Sequence, residues 1–357
     1  MDSAPLPRSS GDDFLLRRIV MHQRWWFVIL GFILLFMCVL AVQLGSYFIN
    51  FHQVMISICN WLTHKPFSNT DKIIISIRIP RIMLSLIAGG ILAVSGVVYQ
   101  TILRNSLAEP FTLGVSSGAT FGVALSLLIS AGVGLILPKM PFAFLGGFVT
   151  ILLLAGLIFY RDCSLYTLIF IGISISYFFN AMLTLVMSLL GDKSYEILLW
   201  MFGTFSNPPT MVSFIGYSVV CIAVIAILMA FHRTLDLFYL PDETIATSGI
   251  KPGSARIFFL CVVSVATIYT VSICGVIGFV GLIVPHIAGM IFGKHHRSLI
   301  AASCLLGAIL MVCSDTFARC LPMIIKNCGR ELPVGVVTSL LGVPCFVLIL
   351  MKRGRMS

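Results

Sequence analysis

The chain has 357 residues, is 59% hydrophobic and only 10% charged, and has a mean hydropathy of +1.07. Soluble domains carry about 25% charged residues, so this composition excludes an ordinary water-soluble fold and points to helices in a bilayer. The net charge of +10 suits basic loops set against anionic headgroups better than it suits a nucleic-acid partner.

Residues 1–24 are polar, include Asp12, Asp13, Arg17 and Arg18, and lead straight into an apolar run, so no removable signal peptide is expected. From there the apolar pattern predicts ten spanning helices, at 25–44, 82–103, 113–134, 142–160, 166–190, 212–231, 257–275, 277–292, 299–318 and 334–351. The fold class is an all-α integral membrane protein, with one ten-helix domain over 25–351 between an N-terminal segment 1–24 and a tail 352–357. An even number of spans puts both termini on one side. With that side cytoplasmic, fourteen basic residues fall in inside loops and nine in outside loops, which agrees with the positive-inside bias.

Between the first two spans, residues 45–81 form a long external segment ending in "RIPR". In the third span "GVSSGATFG" places Gly114, Gly118 and Gly122 four apart on one helical face, a stripe for close helix packing. The longest internal loop, residues 232–256, contains a short helix from Asp242 to Thr247, stopped by Gly249 and Pro252. The eighth segment is the shortest and carries Pro285 and His286 in its middle. A structural kink is expected there, since proline frees a carbonyl one turn upstream and an imidazole can bond such a group or a neighbouring helix. His295 and His296, in the basic loop that follows, are expected at the membrane interface. In the ninth, Asp315 is the one carboxylate inside a span, with Arg319 four residues on for an ion pair near the outer end.

Catalytic motifs are sparse. "GVSSG" matches G-x-S-x-G with Ser116, and His286 is the only histidine inside a span, so a remote alternative is an intramembrane serine protease. The H-E-x-x-H pattern is absent. There is no G-x-x-x-x-G-K-[ST], so nucleotide hydrolysis would have to come from a partner chain. A single neutralised aspartate argues against an ion-gradient motor. The eleven cysteines are scattered without a C-x-x-C pair, so neither a disulfide nor a metal site is assigned. Whether Cys320 and Cys328, which flank a polar loop, form a pair is left open.

Four stretches together resemble the FecCD-like permeases, the membrane subunits of iron-siderophore, haem and vitamin B12 importers of the ATP-binding-cassette (ABC) class. They are "RIPRIMLSLIAGGILAVSGVVYQTILRNSLAEPFTLGVSSGA", "GVIGFVGLIVPHIAGMIFGKHHR", "LLGAILMVCSDTFAR" and "ELPVGVVTSLLGVPCFVLILMKRGR". The resemblance implies that family's ten-helix permease fold in the bacterial inner membrane. It further implies a second permease subunit, identical or paralogous, two ABC ATPase subunits that bind ATP and magnesium, and a periplasmic or lipid-anchored binding protein. No cofactor is implied for this chain. Arg78, Arg81 and Arg319 resemble docking points for acidic residues of the binding protein. "PDETIATSG" resembles the ATPase-coupling motif, carried here by Asp242, Glu243, Thr244, Ala246 and Gly249, with Pro241 and Ser248 where the family has glycine and leucine. "RNSLAEP" has Ser106 where the family often has proline, and the loop with Ser164, Leu165 and Tyr166 aligns with the cytoplasmic gate. No cluster of Cys, His or carboxylate in the spans suits a naked metal ion, which favours an intact chelate, most often a ferric siderophore, with haem or cobalamin as the alternative.

Overall fold

The computed structural model describes residues 10–64, 67–160, 165–324 and 331–354, and among these every regular element is helical. The first four are α1 (Ser10–Gln43), α2 (Phe51–Leu62), α3 (Asn69–Lys72) and α4 (Ile79–Ile102), with a π-helical stretch Ile73–Arg78 joining the last two. Then come α5 (Val115–Val133), α6 (Lys139–Tyr160), α7 (Leu165–Leu190), α8 (Tyr195–Met201), α9 (Met211–Ala230), α10 (His232–Leu237) and α11 (Asp242–Thr247). The chain closes with α12 (Pro252–Cys274), α13 (Val280–Phe292), α14 (His296–Ile324) and α15 (Val334–Gly354). Among the described residues, eight helical stretches are long and apolar enough to cross a membrane, and α13 and α15 supply two shorter apolar ones. Each overlaps one of the ten spans expected, with the second and fifth extending further, to Asn69–Ile102 and Leu165–Met201. The polar residues 10–24 continue α1 as helix.

α4 is the hub. Leu84, Ala88, Ile91, Val94, Val98 and Tyr99 are fully buried, whereas α1, α7 and α15 leave aromatic and aliphatic side chains such as Phe32, Tyr177 and Leu348 exposed. Glycine makes the hub possible. A Cβ on Gly89 would lie 2.2 Å from the Gly307 carbonyl oxygen on α14, and one on Gly96 would lie 1.9 Å from that of Gly281 on α13. Backbones therefore touch at both places, which only a side chain of no size permits. The glycine stripe of α5 divides: Gly118 and Gly122 pack on α6 at Gly146 and Phe142, while Gly114 (φ +80°) caps the helix. Hydroxyl pairs add interhelical bonds, Tyr99 with Ser264 at 2.7 Å and Tyr217 with Thr270 at 3.0 Å. Each is worth about 0.6 kcal/mol on average in a bilayer.

The bundle has two ends of different chemistry. One carries Arg78, Arg81 and Arg319 and is the arginine end. The other carries α10 and α11 and is the loop end. The membrane-spanning part of α1 starts at the loop end and α15 finishes there. Phe27 packs against Phe292 with tilted rings, centroids 4.6 Å apart, and Leu348 shares a cavity with Arg104 and Lys294.

Candidate coupling and docking sites

At the loop end, α11 stands on an arginine tether. Pro241 starts the helix in extended backbone, and Gly249 with φ +80° ends it. Ile245 is buried and pins the inner face, while Glu243, Thr244, Ala246 and Gly249 lie on the outer side and are exposed. Asp242 faces inward instead. Its carboxylate takes Nη1 and Nη2 of Arg256, from the first turns of α12, at 2.8 and 2.7 Å. Nη2 of Arg104, just beyond α4, adds a third bond at 2.7 Å. The hydrogen bonds from Arg256 hold the Asp242 carboxyl below its ordinary range, against a smaller opposing effect of burial. Arg104 also donates to the carbonyls of Phe238 and Leu240, so one guanidinium gathers the whole approach to α11. Of the five coupling residues expected, four present themselves outward, and Asp242 instead holds the helix to α4 and α12.

The carbonyl that Pro285 frees on α13 is served by a residue of a neighbouring helix. Pro285 sits inside the helix, so the Gly281 carbonyl lacks its usual amide partner. Gln100 of α4 supplies it: Nε2 donates to the oxygens of Gly281 and Leu282 at 2.9 and 3.2 Å. The Gly96–Gly281 contact one turn earlier on α4 brings the two helices near enough for this. His286 lines, with Pro285, Gln100, Thr101 and Lys294, a cavity of about 980 Å³ that opens at the loop end between α4, α13 and α15. Ser116 is buried on α5, and its Oγ has no hydrogen-bond partner among the described residues. No histidine activates it there, so the protease alternative has no support. At the start of α7, Leu165 is half-buried and Tyr166 is 78% exposed. Ser164, Cys163 and Cys328 lie outside the described residues.

At the arginine end the three expected docking arginines are buried and engaged. Arg78 donates through Nη1 to the carbonyls of Val42 and Gln43 and through Nη2 to that of Tyr47, at 2.6, 2.9 and 2.8 Å. Arg319 donates to the Ala41 carbonyl at 3.1 Å. Ala41, Val42 and Gln43 carry the last carbonyls of α1, which no further helical turn can satisfy. The two guanidinium groups therefore cap that helix and sit at the negative end of its dipole. Arg81 grips Asp315 with Nε and Nη2, at 2.9 and 2.8 Å to Oδ1, and reaches Glu331 with Nη1 at 2.7 Å. The Asp315–Arg319 pair expected from spacing is present, with Nε 3.1 Å from Oδ2, but Asp315 makes its hydrogen bonds to Arg81. Sequence spacing had no means of showing Gln100, Arg104, Arg256 or Arg81–Asp315 as partners, since 234 residues separate the last two.

The sequence model of the FecCD transport family matches residues 33–352. The chain belongs to that family. This FecCD permease is similar to the "Probable iron chelatin transport system permease protein" of Helicobacter pylori strain J99, at 32% identity over 309 residues that cover 85% of this chain and 90% of that one. It is similar to the hemin transport system permease protein of Yersinia pestis, at 31% identity over 342 residues covering 92% and 97%. Among solved structures it matches an inward-facing conformation of the metal-chelate type of ABC transporter, with a TM-score of 0.78, 28% identity, and coverage of 92% of this chain and 99% of that one.

Proposed function

We propose that this permease is the membrane-spanning subunit of an ABC importer that carries an intact metal chelate, a ferric siderophore before haem or cobalamin. The observation that carries the reading is α11: a short helix with Glu243, Thr244 and Ala246 turned outward and its base fixed to α4 and α12 by Asp242. A helix so presented suits a cleft in a separate ATPase subunit, which would bind the ATP and magnesium, and the chain has no phosphate-binding loop of its own. On this reading the loop end and both termini face the cytoplasm, and Leu165 and Tyr166 stand at the inner gate. The arginine end faces the periplasm and receives the binding protein. A second permease subunit completes the pathway. The named relatives support the chelate class.

Docking at the arginine end is proposed for the rim around Glu331 and Ser206, and not for the buried guanidinium groups themselves. The Glu331 side chain keeps 30% of its exposure, and Ser206 beside it is exposed. The test is reconstitution of the complex in nanodiscs with its ATPase and binding protein. Ferric hydroxamate, ferric catecholate, haem and cobalamin are added singly, and ATP hydrolysis is followed. A ferric siderophore is expected to stimulate most. Stimulation by haem or cobalamin alone would replace the substrate, and the absence of any nucleotide response in the assembled complex would overturn the importer reading.

A further inference from the structure

His296 opens α14, and its imidazole is fully buried, not interfacial. Nδ1 lies 2.7 Å from Asp236 Oδ1 on α10, and the His296 main-chain N–H donates to the same oxygen at 2.9 Å. Nε2 lies 2.8 Å from Thr101 Oγ1, in the last turn of α4. With the carboxylate oxygen as acceptor Nδ1 carries a proton, and in that neutral tautomer Nε2 accepts from the threonine hydroxyl. The result is a directed chain, Thr101 to His296 to Asp236, across three helices. The Tyr239 ring stacks on the imidazole with centroids 5.2 Å apart, and its hydroxyl donates to the Lys294 carbonyl at 3.0 Å.

The place of this chain in the bundle matters more than its bond count. α4 and α14 are joined at three levels: Thr101 with His296 at the loop end, Gly89 against Gly307 in the middle, and Arg81 with Asp315 at the arginine end. Joined so, the pair is one strut spanning the molecule. At its loop end Asp236 lies on α10, and α10 leads through Phe238 and Leu240, both held by Arg104, into α11. A buried polar relay stabilises less than well-packed apolar groups would, yet it fixes register between the parts it joins.

We propose that the Asp236–His296–Thr101 relay joins the ATPase-facing loop to the α4–α14 strut, so that displacement of α11 is delivered to the arginine end on the far side of the membrane. The three are positioning residues for coupling. The inference rests on the importer reading above.

The test uses the full chain assembled with its ATPase in nanodiscs and needs no knowledge of the cargo. A nitroxide is attached through Phe317→Cys, an exposed position on α14 near the arginine end, in a background without other cysteines. Its spectrum is recorded with and without ATP and vanadate. In the parent, nucleotide is expected to change the spectrum. Thr101→Val should cut that change by about tenfold while basal ATP hydrolysis stays within about twofold, a separation within the range of coupling energies. Thr101→Ser, which restores the hydroxyl, should recover the change, and His296→Asn, which keeps the reach to Asp236 but not to Thr101, should behave as Thr101→Val. If both variants keep the parental response, or lose response and hydrolysis in parallel through poor assembly, the relay is structural and the inference fails. A parent that binds its ATPase but ignores nucleotide overturns the importer reading first, and is told apart from failure of the relay by that control.

Discussion

Removing Gln100 tests the reading of the proline in α13 most directly. Gln100→Leu keeps the approximate volume of the side chain but leaves the Gly281 carbonyl, 2.9 Å from the amide nitrogen in the parent, without a donor. A buried carbonyl stripped of its partner costs about 1–3 kcal/mol in soluble proteins. Interhelical hydrogen bonds in a bilayer average about 0.6 kcal/mol, with a maximum near 1.7, so about 1–1.5 kcal/mol is expected here. The decisive step is the second background. Pro285→Ala restores an amide at 285 that can serve Gly281 from within the helix. In that background Gln100→Leu should cost under about 0.5 kcal/mol, giving a coupling near 1 kcal/mol in the double-mutant cycle. Reversible unfolding in mixed micelles, titrated with SDS, measures all four proteins. An equal cost in both backgrounds would refute the assignment of Gln100 to the carbonyl that proline frees.

Two further expectations concern the two ends. Arg78→Met removes two hydrogen bonds to the last carbonyls of α1 and a third to Tyr47, and Arg78→Lys cannot reach all three with one ammonium. Arg78→Met should cost about 2 kcal/mol, with Arg78→Lys intermediate, and should raise hydrogen exchange at Leu44 and Ile49; unchanged exchange in both would show that α1 does not depend on this cap. At the loop end, Asp242→Asn should loosen α11 by about 1 kcal/mol, a figure kept small because the Asp242 side chain is 43% exposed. Since its folded pKa is depressed, the carboxylate's contribution is complete above the unfolded value of about 4 and is lost only as pH falls through the lower folded value. The stability difference between the parent and Asp242→Asn, followed by the same SDS titration, should therefore be flat from about pH 5 to 8, and a difference that shrinks across that range would contradict the tether.

The ten spans and α11 were legible in the chain itself because the forces that set them are local. A bilayer demands a long apolar run with its backbone bonded internally, and glycine and proline stop a helix where the chain must turn. So α5, expected over 113–134, occupies Val115–Val133, and α11 occupies Asp242–Thr247 as read. α2 had a signal too, Phe51, Met55, Ile58 and Leu62 at helical spacing, hidden by the polar residues around it. What the linear order does not hold is which buried polar group meets which. Arg78 reads as a surface charge until α1 ends beside it with open carbonyls, and His296 reads as an interfacial residue until α10 and α4 close over it. A buried donor must find an acceptor somewhere, but with partners 31 to 234 residues away only the packing of helices through Gly89, Gly96, Gly281 and Gly307 decides where that acceptor is.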